Sequence, residues 1–202
     1  MKLRLAVLLS GGGRTLENLV SLSRANELAG EVVLAISSSP RAGGVERASR
    51  LGVPCLVETD PERIFSACEA ERIDLVCLAG WIKLLPIPER WRWRLLNIHP
   101  ALLPSFGGKG FYGDRVHEAV LAAGVKVSGC TVHFCDDQYD HGPIVLQRVC
   151  PVLEDDDVHA LAARVFEEEK VAYPEAIRLF QEGRLEVDGR RVRIKPSRSQ
   201  GT

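Results

Sequence analysis

Short apolar runs alternate with amphipathic segments over the first half of the chain. The runs are mostly bounded by Gly, Pro, Ser or Asp, which is typical of strands buried on both faces of a sheet. They cover residues 5–9, 32–36, 54–57, 75–79 and 95–98. The segments between them have helical spacing and cover residues 15–25, 45–51 and 62–70. This order predicts an α/β fold with a doubly wound, mainly parallel sheet and right-handed crossovers.

After residue 104 the pattern of apolar positions changes. It predicts a glycine-rich loop, a helix, two strands, a long helix and a hairpin, at residues 105–113, 114–123, 126–134, 144–152, 156–181 and 185–194. The long helix has Asp155 or Asp156 as its cap and Gly183 as its stop, and Pro174 is expected to kink or divide it. An Asp-Gly pair supplies the turn of the antiparallel C-terminal hairpin.

Length and charge limit the classes of protein that this sequence can represent. The 202 residues are enough for one domain with a full core. We expect that domain over residues 1–195 and a disordered tail over residues 196–202. A formal net charge of -1 predicts no basic field, so nucleic acid and anionic membranes are not expected partners. No apolar run approaches the roughly twenty residues of a membrane span.

The N-terminus and the cysteines predict a cytoplasmic location and no metal. Residues 1–9 begin like a signal peptide, but Arg4 interrupts the run and glycines follow directly, so a buried strand is expected. Six cysteines are present, and no two of them have the two-residue spacing of a zinc or redox motif. A metal held by Cys130, His133 and Cys135 is disfavoured because residues of a strand alternate between its faces.

A glycine-rich turn joins the first predicted strand to the first helix. Residues 10–15 read Ser-Gly-Gly-Gly-Arg-Thr, and backbone N–H groups at such a helix start can bind a phosphate. The turn lacks the spacing of a dinucleotide fingerprint and the lysine of a P-loop, so a monophosphate is the better prediction. Arg14 and Thr15 could both reach phosphate oxygens. A tight turn that needs glycine only for its backbone, with Arg14 in solvent, is the alternative.

Three polar residues predict acyl-type transfer without a covalent enzyme intermediate. Asn97 could donate to a developing oxyanion, His99 could move a proton near neutral pH, and Asp140 could orient the imidazole. Asn97 and His99 are two apart in a predicted strand, so both side chains point to one side. Alternatively, the histidine is structural, Asn97 caps a turn and Asp140 starts a Gly-Pro turn. We assign no chemistry to the other four histidines.

Several segments resemble one known family. They are residues 10–13, 78–85, 96–104, 129–134 and 140–144. With their Asn-x-His-Pro and Asp-x-Gly-Pro motifs they resemble the folate-dependent formyltransferases, and the glycine turn favours the phosphoribosylglycinamide formyltransferases among them. The resemblance spans nearly the whole chain and implies a Rossmann-like formyltransferase fold. It also implies transfer of a formyl group from the co-substrate 10-formyltetrahydrofolate to the amine of 5-phosphoribosylglycinamide, in purine biosynthesis.

The resemblance implies a role for each catalytic candidate. Asn97 would stabilise the tetrahedral oxyanion, and His99 would carry the proton. Asp140 would support the imidazolium and raise the pKa of His99.

The same resemblance implies two binding regions. The residues expected to bind the ribotide and its phosphate are Gly12, Gly13, Arg14, Thr15 and Glu169. The residues expected to bind the folate are Ile82, Lys83, Leu84 and Leu85, together with Asn97. As alternatives, Glu169 belongs to an acidic helix face and residues 82–85 are core at a strand end. Arg14-Thr15 stands where Ser-Asn is usual, and the loop at residues 106–113 is longer than expected.

Two other functions stay open, and so does a homodimer. A 10-formyltetrahydrofolate hydrolase would use a similar set of residues on water, but we expect such an enzyme to have an additional N-terminal domain, and none precedes Met1 here. A phosphometabolite-binding protein without catalysis would keep the glycine turn but would not need Asn97, His99 and Asp140 together.

Overall fold

A nine-stranded sheet forms the centre of the protein within residues 2–197, the part of the chain that this computed structural model describes. Its strands are β1 (Leu3–Leu9), β2 (Gly30–Ser37), β3 (Cys55–Val57), β4 (Leu75–Leu78), β5 (Leu95–His99), β6 (Val127–Phe134), β7 (Ile144–Pro151), β8 (Leu185–Asp188) and β9 (Arg191–Ile194). The helices are α1 (Arg14–Arg24), α2 (Gly43–Arg50), α3 (Pro61–Ala70), α4 (Asp114–Ala122) and α5 (Val158–Gln181). Residues 198–202 of the expected tail lie outside the described residues.

The sheet is parallel from β1 to β5 and then becomes mainly antiparallel. The strand order is β3-β2-β1-β4-β5-β6-β7-β9-β8. β6 pairs antiparallel with β5 and β7, and β8 and β9 form an antiparallel hairpin that meets β7 through β9. The predicted doubly wound sheet with a C-terminal hairpin is therefore confirmed. The strand order reverses between β1 and β4, which is where open α/β sheets form a ligand crevice at the carboxyl ends of their strands.

Helices cover both faces of the parallel part of the sheet. Along β1, Leu5, Val7 and Leu9 pack with α1, α2 and α5 on one face. Ala6 and Leu8 pack with α3 on the other face. Because alternate residues of one strand enter two different cores, the strand needs an unbroken apolar run.

The edge strand β3 departs from the sequence-based prediction. Val57 is exposed, and the other two residues of β3 are half-buried. Burial on both faces is therefore wrong for this run, because β3 lies at the edge of the sheet with β2 as its neighbour. The apolar pattern does not distinguish an edge strand from a central one.

Helix α5 also differs in two details from the prediction. Its cap is Asp157, whose side chain accepts from the Ala160 N–H at 2.7 Å, so the proposed caps Asp155 and Asp156 are wrong. Asp156 is instead bound by both terminal nitrogens of Arg164. The helix continues through Pro174 without division, because residues on both sides of the proline are packed in the core.

One residue of α5 fixes this helix to the sheet beside the crevice. Tyr173 is fully buried, and its hydroxyl is 2.9 Å from the carbonyl oxygens of Leu78 and Leu96. These carbonyls belong to β4 and β5. Tyr173 therefore sets the position of the preceding helical turn, which carries Glu169.

The cysteines are free thiols in the described residues. Four of them are buried, and burial raises the pKa of Cys68, Cys77 and Cys130 to about 12, so these thiols are neutral and unreactive. Within residues 2–197, no cluster of three or more His, Cys, Asp or Glu side chains is arranged to hold a metal ion. No helix in the same range is both long enough and apolar enough to cross a membrane.

Candidate active site

A cleft of about 780 Å³ opens at the carboxyl ends of β1, β4 and β5. The turns that follow β1 and β4 are joined there: Ser10 N–H donates to the Gly80 carbonyl at 3.0 Å, and Ile82 N–H donates to Ser10 Oγ at 3.2 Å. The volume is in the range of sites that bind metabolites and cofactors. A recess of about 40 Å³ adjoins the cleft and shares Asn97 and Asp140 with it.

Every candidate residue from the sequence lines the cleft or the recess. The cleft is lined by Gly12, Gly13, Arg14, Thr15, Ile82, Asn97, His99, Asp140 and Glu169. The recess is lined by Lys83, Leu84 and Leu85, again with Asn97 and Asp140. The glycine turn follows β1 and the Asn97/His99 pair lies on β5, with β4 between them. Two strand spacings separate them, so the cleft extends about 10 Å along this edge of the sheet.

The glycine turn is the cap of helix α1. Gly13 is the N-cap residue, its φ is 75°, and no side chain caps the helix. The first N–H groups of α1 are therefore open to a ligand, and the helix dipole favours an anion there. This backbone conformation is one that glycine adopts without steric cost.

Arg14 and Glu169 lie together at the glycine turn. The Arg14 guanidinium is 4.5 Å from the centre of the Phe166 ring, a cation–π contact that keeps it over α5. Burial in the cleft raises the pKa of the half-buried Glu169 to about 7, although the charge of Arg14 acts in the opposite direction. A guanidinium and a carboxyl group that titrates near neutral pH therefore share one wall.

Asp140 is the centre of the polar cluster across the cleft. Its Oδ1 accepts from Asn97 Nδ2 at 3.2 Å and is 3.5 Å from His99 Nδ1, while its Oδ2 accepts from Gly108 N–H at 2.9 Å. Burial raises the pKa of Asp140, but His133, His99 and the Gly108 N–H together outweigh burial and hold this pKa below its ordinary value. The carboxylate is therefore charged at neutral pH.

His99 is buried between Asp140 and a loop carbonyl. Its Nε2 lies 2.8 Å from the Phe106 carbonyl oxygen, so Nε2 carries a hydrogen, and Nδ1 faces Asp140. Burial lowers the pKa of His99 more than Asp140 and the Phe106 carbonyl raise it. The expectation that Asp140 gives His99 a raised pKa is therefore wrong in its net direction, because desolvation of the ring is the larger effect.

Asn97 is held by two partners at once. Its Nδ2 donates to Asp140 and lies 3.0 Å from His133 Nε2. His133 Nδ1 is 2.8 Å from the Phe134 carbonyl oxygen and donates to it, so in the neutral ring Nε2 is the acceptor for Asn97. Both amide hydrogens are thus used, and the orientation of the carboxamide is fixed.

The formyl transferase family model matches residues 3–177. The chain belongs to the formyl transferase family. A chloroplastic phosphoribosylglycinamide formyltransferase from Vigna unguiculata is 39% identical over 193 residues, which are 90% of this chain and 62% of that protein. The crystal structure of glycinamide ribonucleotide transformylase 1 from Symbiobacterium toebii is 42% identical, with a TM-score of 0.88, covering 96% of this chain and 95% of that chain.

The relatives of this formyl transferase family member differ in length and in chemistry. The chain spans less than two thirds of the length of the first curated relatives that it matches. A formyltetrahydrofolate deformylase from Pseudomonas syringae pv. tomato str. DC3000 has a TM-score of 0.84 at 23% identity, covering 97% of this chain and 67% of that chain. At that identity the likeness concerns the fold alone. The fold therefore does not by itself distinguish a transferase from a hydrolase.

Among the site residues that the sequence-based reasoning missed are His133, His117 and Arg47. His133 binds Asn97, and His117 and Arg47 line the cleft. His133 is the cross-strand partner of Asn97, but the sequence does not show that β6 lies beside β5. His117 is buried, and its Nδ1 has no hydrogen-bond partner within residues 2–197. Nothing in the sequence indicated that His117 lines the cleft, because a histidine in a predicted amphipathic helix is usually an ordinary helix residue.

The segment expected to bind folate is only partly core. Leu85 is buried, in agreement with the alternative reading, whereas Ile82 and Leu84 are each more than 40% exposed. Leu84 N–H donates to the Tyr139 hydroxyl at 2.9 Å, which joins this segment to the loop of Asp140. Exposed apolar side chains at the mouth of a cleft suit a flat aromatic ligand.

Proposed function

We propose that the protein transfers the formyl group of 10-formyltetrahydrofolate to the amine of 5-phosphoribosylglycinamide in purine biosynthesis. The observation that carries the proposal is the convergence of Asn97, His99 and Asp140 in a cleft that also contains the open glycine turn. A transferase of this kind needs an anion site and a proton-transfer site within the length of one small substrate. The names of the relatives at 39% and 42% identity support the same reaction.

Each substrate would take one part of the cleft. The ribotide phosphate would bind the N–H groups of Gly12 and Gly13, with the side chains of Arg14 and Thr15 beside it. Glu169 would contact the ribotide further along the cleft wall. The pterin would pack on the folate segment, whose residues are Ile82, Lys83, Leu84 and Leu85, next to Asn97.

The chemistry would proceed through one tetrahedral intermediate. The ribotide amine forms a bond to the formyl carbon, and the formyl oxygen becomes an oxyanion. An Asn97 N–H that now binds Asp140 would donate to this oxyanion. The bond to the folate nitrogen then breaks, and the proton lost by the amine ends on that nitrogen.

His99 would be the carrier of this proton. Because burial lowers its pKa, the imidazole is neutral before reaction and can accept the amine proton as a base. The imidazolium that forms lies beside the charged Asp140, which stabilises it. Both ring nitrogens then face acceptors, which stabilise the imidazolium until its proton passes to the folate nitrogen.

The proposed partners are the two small molecules, with formyl-folate as a co-substrate and no metal in any step. A cytoplasmic location stays a prediction, and so does a homodimer.

The decisive experiment incubates the protein with 10-formyltetrahydrofolate, with and without phosphoribosylglycinamide, and follows folate absorbance. Loss of formyl-folate that depends on the ribotide supports the proposal. Loss without ribotide means a hydrolase, and no loss in either case means a binding protein. His99→Ala should abolish the ribotide-dependent signal, while His159→Ala, which changes an exposed histidine at the start of α5, should retain it.

A further inference from the structure

The start of helix α2 packs directly on the glycine turn. Gly44 N–H donates to the Gly11 carbonyl at 2.9 Å, and Arg47 Nε donates to the Gly12 carbonyl at 2.7 Å. A Cβ at Gly44 would lie 3.1 Å from the Gly11 oxygen and 2.4 Å from Leu9 Cδ1. Two successive carbonyls of the turn are therefore directed at α2, and the approach is too close for a side chain at residue 44.

The direction of these carbonyls fixes the direction of the next N–H groups. In a trans peptide the C=O and N–H bonds point in opposite directions. Because the Gly11 and Gly12 carbonyls point to α2, the N–H groups of Gly12 and Gly13 point away from it. Neither N–H donates to any backbone or side-chain acceptor within residues 2–197. Two unpaired N–H groups beside a helix start form a concave site for an anion.

Arg47 is itself held from a second side. Its Nη1 forms an ion pair with Glu17 of the first turn of α1, and its side chain is one-quarter exposed. One guanidinium therefore joins α2, the glycine turn and α1. The charge of Arg47 is balanced by Glu17, which makes it a weaker attractant for a phosphate than an unpaired arginine.

We propose that Arg47 is a positioning residue of the phosphate site. With Glu17 it holds the Gly12 carbonyl toward α2, and this keeps the N–H groups of Gly12 and Gly13 available to the ribotide phosphate. The inference rests on the proposed function, because it assumes that a ribotide phosphate binds at the glycine turn. The competing explanation is that Arg47, which lines the cleft, touches the phosphate directly.

The test compares four variants by steady-state kinetics with each substrate varied in turn. Arg47→Ala should raise the KM for ribotide about 10-fold, which corresponds to about 1.4 kcal/mol, because the released turn must be ordered when the phosphate binds. The kcat and the KM for formyl-folate should stay near those of the parent. Arg47→Lys should restore part of the affinity, because an ammonium can still donate to the Gly12 carbonyl. Arg50→Ala removes an exposed charge from the same helix and should leave every constant unchanged.

Glu17→Gln separates the two explanations by the sign of its effect. If Arg47 acts through the turn, loss of the Glu17 carboxylate releases the guanidinium and the KM for ribotide rises. If Arg47 binds phosphate directly, the same change frees a positive charge and the KM for ribotide falls. A lower KM in Glu17→Gln, or an unchanged KM in Arg47→Ala, overturns the inference.

Failure of the proposed function gives a different result. A parent protein without ribotide-dependent turnover would contradict the reaction, whereas normal parent turnover with a normal Arg47→Ala variant would contradict only the positioning role.

Binding of inorganic phosphate, measured by calorimetry, tests the turn without any reaction. It should be weaker in Arg47→Ala and in Glu17→Gln than in the parent, and equal binding overturns the inference. Far-ultraviolet circular dichroism confirms folding, and Arg47→Lys and Glu17→Gln carry the test if Arg47→Ala does not fold.

Discussion

The two sides of the cleft present different kinds of groups to a ligand. At the glycine turn, the groups offered to a ligand are backbone N–H groups, whose direction is set by Gly13, Gly44 and Arg47. Across the cleft, the reactive groups are side chains on β5, on β6 and in the loop of Asp140. There each group is oriented by another side chain, as Asn97 is by His133.

This difference predicts how each side responds to substitution. A site made of backbone groups tolerates different side chains as long as the backbone conformation is kept. Arg14-Thr15 at the start of α1, in place of the Ser-Asn that the resemblance leads one to expect, is consistent with that. A site made of side chains depends on the identity of each residue, because a donor or a proton carrier has no substitute nearby. Substitutions on the second side should therefore have the larger effects on turnover.

The largest effect is expected for Asn97→Ala and His99→Ala. Loss of one oxyanion donor costs about 10²–10³ in rate, and loss of a positioned proton carrier costs about 10²–10⁴. Ribotide affinity should stay near that of the parent, because the glycine turn is unchanged. Stopped-assay turnover and ribotide calorimetry measure the two quantities separately. Turnover near the parent level in either variant would contradict the assigned roles.

A smaller loss of turnover is expected for Asp140→Asn than for Asn97→Ala or His99→Ala. Asparagine has the same shape and adopts the backbone conformation found here, where φ is 51°. The charge that raises the pKa of His99 is lost, so this pKa, already below its ordinary value, should fall further. If neutral His99 is the base, kcat/KM rises with pH through the pKa of His99, and the rise moves to lower pH in the variant.

Nuclear magnetic resonance titration of the His99 ring measures the same change directly. Asp137→Asn provides the control, because Asp137 is exposed in the same loop. A midpoint that stays in place in Asp140→Asn, or that moves equally in Asp137→Asn, would show that Asp140 does not tune His99.

The same contrast explains what the sequence could and could not predict. The apolar runs predicted β1 to β5. In the four of these strands that lie inside the sheet, the reason is that a core strand must be apolar on both faces. The glycine turn was visible from its composition. The contact between Asn97 and His133, which are 36 residues apart in the chain, was not visible, because it depends on β6 lying beside β5. Net pKa directions also depend on burial, which the sequence does not give, and this explains the wrong direction for His99.

An intermediate effect is expected on the backbone side for Gly13→Ala. The left-handed conformation at φ 75° costs an alanine about 1–2 kcal/mol, and its Cβ would lie 3.1 Å from Gly44 Cα. The free energy of unfolding should fall by that amount, and the KM for ribotide should rise while kcat is retained. Gly11→Ala is the matched control, since its Cβ would meet nothing within 4 Å and it should differ from the parent by less than about 1 kcal/mol. Denaturant titrations of both variants make the comparison, and equal losses would contradict it.

The smallest effect, a pH-dependent change in stability, is expected for Glu169→Gln. The Glu169 side chain lies beside the glycine turn but supplies none of the turn's backbone N–H groups. Burial raises the pKa of Glu169 to about 7, so the folded protein binds more protons than the unfolded chain between the ordinary carboxyl range and pH 7. Stability contributed by this group is present at low pH and is lost as pH rises through that window. Glutamine removes the titration, so the melting temperature of the variant relative to the parent should be about 2 °C or more higher at pH 8 than at pH 5. Glu167→Gln, an exposed position on the same helix, should show no such dependence. A difference between variant and parent that is the same at both pH values would mean that Glu169 is not desolvated by the cleft, and that the wall beside Arg14 is open to water.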